Sequence, residues 1–318
     1  MKPANVQLVR NPYPHSVHPY EVDAPDDLDG AMVAGSWSPE LTRFLVESRI
    51  PALYLNTARG WNGNRGDYGF LAELSQLKLL SLLASDALDL SPLERLSALE
   101  RLSLQCATRR KIDFAALPKL RSVSLTWWAG AASILAHHGV ESLTLISPKP
   151  RDWAQLSGST QLKKLRMMGG NVAELDFLRG WPNLAQLELQ PARALRRVSG
   201  VNSLPALRYL AIDEAHGIED LDAIAGCKTL EALNLRDLGR IPTLRFLSDL
   251  TNLKVLFFSG STNVEDGDLS FLDELPRLSM LHFAPRRHYS HRPTRATNWN
   301  QFGLLSGPVA ERVKSRVH

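Results

Sequence analysis

Hydrophobic residues recur along this chain in one short phrase: apolar, two variable, apolar, one variable, apolar. It reads IPALYL from residue 50, LKLLSL from 77, LERLSL from 99, LRSVSL from 120 and VESLTL from 140. It continues as LKKLRM from 162, LAQLEL from 184, LRYLAI from 207, LEALNL from 230, LKVLFF from 253 and LSMLHF from 278. The alternation in the second half of each phrase has the period of two that marks a strand with one buried face. Six places ahead of the phrase stands a second apolar residue in every unit, for example Phe44, Leu71, Phe114, Val201 and Leu272. Three places ahead the residue is usually Leu, as at Leu74, Leu96, Leu117, Leu204, Leu250 and Leu275. Each unit thus predicts a short strand plus a return segment, both with inward side chains.

A unit of about 22 residues cannot bury its own apolar face, whereas stacked units share one continuous core. The pattern predicts an α/β repeat solenoid of about eleven units, curved, with a parallel sheet on its concave face. Return segments such as SPLERLSA and LSFLDELP are too short for long helices and predict single helical or 3₁₀ turns on the convex side. The end units need covers. In SPELTRFLVESR, from residue 38, Ser38 is placed to cap a short helix, with Pro39 in its first turn and Glu40 near its positive end. The expected organisation is an N-terminal flank and capping helix over 1–49, the solenoid over 50–284, and a basic C-terminal flank and cap over 285–318. In the first flank, YEVDAPDDLDGAMVAGSW supplies an edge strand or a loop; in the last, an irregular stretch leads to the amphipathic PVAERVKSRV.

At this point the chain resembles the leucine-rich-repeat family. Phrases such as LSDLTNLKVLFF and LDELPRLSMLHF are most similar to the short bacterial internalin-type repeats. The resemblance covers roughly residues 44–284, and it implies a recognition scaffold whose concave face holds another protein. A bacterial intracellular regulator or a toxin-neutralising immunity protein is the expected kind. One departure is plain. The family usually has Asn three residues after the last strand position, and here that slot holds Ala58, Ser85, Ala107, Trp128, Pro148, Gly170, Ala192, Ala215, Leu238, Ser261 and Arg286. The loops that follow the strands must find other hydrogen-bond partners.

The variable positions of the phrase point away from the core and form the concave surface. The neighbours Phe257 and Phe258 are separated by this rule, Phe258 inward and Phe257 outward. Phe257 with Val255, Tyr209 and Met280 predicts an apolar, aromatic patch, edged by Arg166, Glu188, Asp213 and Arg236, of the composition common at interfaces. Tyr54 and His282 lie in the same middle column. Arg166 with Glu188 and Asp213 with Arg236 also occupy adjacent strands, where they can simply neutralise one another. Trp127 and Trp128 follow a strand, where a binding edge could form.

Charge changes the picture at one end only. Of 37 Lys and Arg, seven lie from Arg286 onward, against the single acid Glu311. The alternative reading is therefore binding of nucleic acid or an acidic partner through Arg286, Arg287, Arg292 and Arg295. Two cysteines, Cys106 and Cys227, are too few for a disulfide framework. No leader peptide or membrane-spanning run is read, so a cytoplasmic location is expected. No phosphate loop, dinucleotide fingerprint, metal set or nucleophilic arrangement is present in the pattern, so no cofactor, metal or catalytic residue is expected. His137 and His138 sit in a return segment and read as core or loop polarity.

Overall fold

The computed structural model describes residues 2–10, 29–86, 89–108, 110–149 and 161–292. All eleven phrases form strands of one sheet: β3 (Ala52–Asn56), β4 (Leu79–Asp86), β5 (Arg101–Ala107), β6 (Ser122–Thr126), β7 (Ser142–Ile146), β8 (Lys164–Met168), β9 (Gln186–Leu189), β10 (Tyr209–Asp213), β11 (Ala232–Arg236), β13 (Val255–Ser259) and β15 (Met280–Phe283). They pair in parallel in chain order, and the apolar positions stack in register, Leu210 on Leu233 and Leu233 on Leu256. The fold is a leucine-rich-repeat solenoid. Convex return segments are 3₁₀ turns, such as Ser91–Arg95 and Ser270–Glu274, as their length dictates.

Among the described residues the sheet has thirteen strands, because the N-terminal flank adds two. β2 (Asp29–Val33) pairs in parallel with β3, and β1 (Val6–Arg10) reverses direction to pair antiparallel with β2 at the edge. The repeat pattern gave no sign of β1. The helix α1 (Pro39–Glu47) follows, with Ser38 accepting from the Leu41 amide and Glu40 in the first turn. At the other end the residues after β15 fold back on the last unit. Arg286 donates to the Thr262 carbonyl (3.1 Å), the Tyr289 hydroxyl accepts from the Val264 amide (2.9 Å), and Tyr289 packs edge-on against Phe258 and Phe283. The strands β12 (Arg240–Ile241) and β14 (Asn263–Val264) form a small second sheet in the same region.

One core runs the length of the stack and takes both predicted registers, including Leu71, Phe114, Val201, Leu247 and Leu272. Where Leu is missing from the second register, Trp181, Cys227 and His137 fill the slot, all buried. Each fully buried Leu contributes roughly 1.5–3 kcal/mol relative to exposure. Neighbouring units are also joined by backbone bonds at the start of each strand. The Lys78 carbonyl accepts from the amides of Glu100 and Arg101 (2.8 and 2.9 Å), and the Glu100 carbonyl accepts from Arg121 and Ser122 (2.9 and 3.1 Å).

The side chains at that position alternate in sign. Lys78 pairs with Glu100 (3.3 Å), Glu141 sits between Arg121 and Lys163 (2.7 and 2.9 Å), and Glu231 sits between Arg208 and Lys254 (3.2 and 2.9 Å). These pairs are partly solvated, so each contributes at most about 1 kcal/mol.

The missing Asn column is replaced by backbone geometry. Two residues after the last apolar strand position, Ser147, Gly169, Glu214, Asp237 and Gly260 all have positive φ, between 53° and 73°. This left-handed turn aims backbone amides at the next unit: Ser147 donates to the Met168 carbonyl (2.7 Å), Glu214 to Arg236 (3.1 Å) and Asp237 to Ser259 (3.1 Å). The buried Thr262 hydroxyl adds an Asn-like bridge, accepting from the Leu238 amide and donating to the Leu235 carbonyl. On the convex side short acids cap the turns, Asp89 accepting from the Ser91 amide, Asp113 from Ala115, and Asp220 from Asp222.

Candidate functional site: the concave face

Alternation along β13 separates the two phenylalanines. Phe258 lies in the main core, stacked on Phe283 with centroids 4.7 Å apart. Phe257 lies on the opposite face, 6.0 Å from the His282 ring. There it joins Tyr209, Ala211, Ala232 and Val255 in a second apolar cluster, with Met280 packed against it. The structure therefore brings Tyr209, Val255, Phe257 and Met280 together on the concave side. The first three are closed to solvent, at 2%, 1% and 6% exposure, while Met280 and His282 are partly exposed.

The charged residues around this cluster are paired and partly or fully buried. Glu188, only 1% exposed, accepts from the Arg166 guanidinium (2.5 Å) and from the Gln186 side-chain amide, with the Lys164 ammonium at 3.9 Å. Asp213 and Arg236 form a two-bond fork, its Nε contact 2.9 Å, and that hydrogen bonding raises the Arg236 pKa. A single carboxylate buried between two cations is expensive to separate from them. The cross-strand neutralisation that the spacing allowed is thus formed. Tyr54, far along the sheet on β3, is also buried and does not belong to this group.

The face is not uniform. Across β4–β8 the outward positions are short or partly exposed: Ser81, Ser103, Ser124 and Thr144 form the middle column, with Arg101 and Gln105 beside it on β5. Beyond β8 the outward positions Gln186, Glu188, Tyr209, Ala211, Ala232, Val255 and Phe257 are all buried. The concave face therefore has a more open half, polar along its middle column but with Leu79, Leu83, Ile146 and Met168 beside it, and a closed half.

The remaining candidates lie away from this cluster. Trp127 lies in the core at 8% exposure, because its unit follows the alternation one residue further than the loop reading assumed. Trp128 packs partly buried against the core, and its indole N–H donates to the Arg110 carbonyl (2.8 Å). In the basic segment Arg286 is tied into the C-terminal fold-back, Arg287 and Arg292 are exposed, and Arg295 lies outside the described residues. The amphipathic PVAERVKSRV also lies outside them. Burial pushes the Cys106 thiol up to about 11 and the Cys227 thiol up to about 12, which leaves both as inert thiols at neutral pH. Among the described residues no group of three His, Cys, Asp or Glu is placed to hold a metal ion, and no helix is long and apolar enough to cross a membrane.

His137 has a defined tautomer. Its Nδ1 accepts from the Gly139 amide (3.1 Å), so the proton is on Nε2, which donates to the Leu117 carbonyl (3.2 Å). Burial lowers its pKa below the ordinary 6.5, and burial lowers that of His282 as well. The unfolded chain then binds protons more readily than the fold. Stability is complete above the unfolded value near 6.5 and falls as pH drops through it toward the folded values. Urea midpoints at about pH 7.5 and about pH 5.5 are expected to differ in that direction, and His137→Gln is expected to reduce the difference. Equal midpoints would show that neither ring is coupled to folding.

No family model and no curated protein matches the chain. Among solved structures, an internalin (inlF) from Listeria monocytogenes is similar at 22% identity and a TM-score of 0.47, covering 65% of this chain and 67% of that one. An internalin C2 (inlC2) from the same organism is similar at 19% identity and a TM-score of 0.46, covering 67% and 84%. The Leptospira interrogans LRR protein LIC12759 follows at 16% identity and a TM-score of 0.45, covering 68% and 62%.

Proposed function

We propose that this leucine-rich-repeat solenoid is a non-enzymatic recognition module that holds a protein partner against its concave face, acting in the cytoplasm as a bacterial regulator or immunity-type protein. The observation that carries the reading is the open half of that face. Short side chains at Ser81, Ser103, Ser124 and Thr144 lie on a sheet locked in register on both sides, so a partner meets a rigid, accessible floor and binding orders little. Met280, His282, Arg166 and Arg236 extend the partly exposed surface toward the C-terminal end. Tyr209, Val255 and Phe257 shape the closed half, and they meet a partner directly only where binding uncovers them.

The test must block the floor without disturbing the core. Truncating Phe257 removes buried area and so reports on stability as well as binding. Ser103→Tyr/Ser124→Tyr instead adds bulk where the face is open. Its melting temperature is expected to match the unaltered protein, while a protein captured specifically from native lysate by the unaltered chain is lost. Capture that survives the double substitution moves the site off the concave face.

A further inference from the structure

We propose that the closed half of the concave face is roofed by this chain's own C-terminal segment, with Trp299, Phe302, Leu304 and Leu305 resting on the apolar cluster of β10–β15. The proposal stands apart from the protein-partner reading, and it sets which half of the face a partner finds free. Tyr209, Ala211, Ala232, Val255, Phe257 and Met280 all stand on sheet strands and point away from the main core. Yet Tyr209 is 2% exposed and Phe257 6%, while the much smaller outward residues Ser103, Ser124 and Thr144 of the same sheet are partly exposed. Neighbours on a sheet shield the sides of a ring, but side chains there stand roughly perpendicular to it, so a tip is shielded only from above. The closure therefore comes from a cover beyond the sheet.

Reach selects the segment. Residues 11–28 leave and return at adjacent strands, since Arg10 and Asp29 are register partners, so they extend over the sheet by about nine residues, or about 30 Å. β13 lies ten strand positions from β2, about 48 Å along the sheet and beyond that reach. The chain after Arg292 starts much nearer. His291 pairs with Asp273 in the last convex turn (3.2 Å), and the Ser290 amide donates to the Gly267 carbonyl (3.0 Å), so this chain stands at the end of the last unit. Residues 293–298 can span up to about 20 Å, enough to pass that end and bring Trp299 to β15, one strand from Phe257.

Chemistry makes the same choice. Charges of the closed half neutralise one another, Arg166 with Glu188 and Asp213 with Arg236, so its cover must bring apolar surface and no unpaired charge. From Ala296 to Ala310 the sequence has no charged residue, and Trp299, Phe302, Leu304 and Leu305 fall within seven positions. Residues 11–28 instead carry four acids, Glu21, Asp23, Asp26 and Asp27.

Hydroxyl-radical footprinting of the full chain reads the cover directly. Trp299→Ser/Phe302→Ser/Leu305→Ser is expected to raise labelling of Phe257 and Met280 several-fold while that of Leu79 and Leu83, on the more open half, stays the same. Unchanged labelling of Phe257 and Met280 overturns the proposal, as does a rise produced instead by Tyr13→Ser/Tyr20→Ser, which assigns the cover to the N-terminal flank. Cross-linking decides the matter without disturbing the apolar contacts as a group. A short bismaleimide is expected to bridge Met280→Cys/Leu305→Cys within one chain and to leave Ser103→Cys/Leu305→Cys unbridged, both native cysteines being buried. No bridge in the first pair, or equal bridging of the two, overturns the proposal; bridges formed only between chains overturn it in favour of a second copy.

Discussion

Gly200→Ala is expected to destabilise the fold by about 3 kcal/mol, at the upper end of what overpacking one methyl costs. A Cβ at Gly200 would stand 1.8 Å from the Leu175 carbonyl oxygen, 2.4 Å from its carbon and 2.9 Å from the Asp176 nitrogen. All three are backbone atoms of the preceding unit, at the start of the turn Asp176–Leu178, against which the turn Ser199–Ser203 is stacked. They cannot yield without parting two units whose strands β9 and β10 are held in register. Gly217 provides the control. A Cβ there meets the Arg196 guanidinium at 1.9 Å, the far end of an exposed side chain that can swing away, so Gly217→Ala is expected to cost a small fraction of that amount. Urea midpoints of both variants decide the matter: similar midpoints would mean that the convex turns are loosely stacked.

Leu233→Asp is expected to be more damaging still, about 5 kcal/mol or more, since the cavity term of a Leu truncation is joined by an unpaired charge in an apolar core. Leu233 is fully buried, between Leu210 and Leu256 on adjacent strands. Because each unit is stabilised mainly by its neighbours, a defect at β11 uncouples the units on either side of it. The fold disfavours the ionised carboxylate, so the new group takes up a proton more readily in the folded chain and the loss shrinks as pH is lowered. Chemical denaturation at two pH values, with Leu233→Ala as reference, tests both the size and the sign. A cost no greater than that of Leu233→Ala would show that water reaches this part of the core.

The repeat architecture was legible because its cause is periodic. A Leu at every inward position is required in each unit separately, so the signal is written eleven times, and even the irregular Trp181, His137 and Cys227 stand out as substitutions in a known slot. The capping helix was legible from Ser38 and Pro39 for a local reason, the first-turn amides. β1 was not legible, because one antiparallel strand at the edge has no repeat to mark it. The left-handed turns were hidden for a different reason. Ser147, Glu214 and Asp237 carry no side-chain signature for positive φ, and the bonds they set up are between backbone groups. The turn-capping acids, such as Asp89 and Asp113, and the alternating charges at Lys78, Glu100, Arg121 and Glu141 were present in the letters. They become readable once the strand register is fixed.

On the concave face, parity along the strand separated Phe257 from Phe258 without ambiguity. What parity does not give is exposure. The outward positions of β9–β13 and those of β4–β8 have the same relation to the core, yet most of the first set, Asn234 and Arg236 apart, are closed and the second set is more open. Trp127 shows the limit of counting loop residues, since the inward alternation of β6 extends one step past the phrase.

The alternating charges also bear on how such a chain can change its length. Excising one unit, for example that of β5, would place Lys78 beside Arg121, whereas excising the β5 and β6 units together would place Lys78 beside Glu141 and restore an attractive pair. Repeats in this stretch are therefore interchangeable in twos rather than singly, and a gene losing units by recombination is biased, by about 0.5 kcal/mol for each mismatched contact, toward even steps.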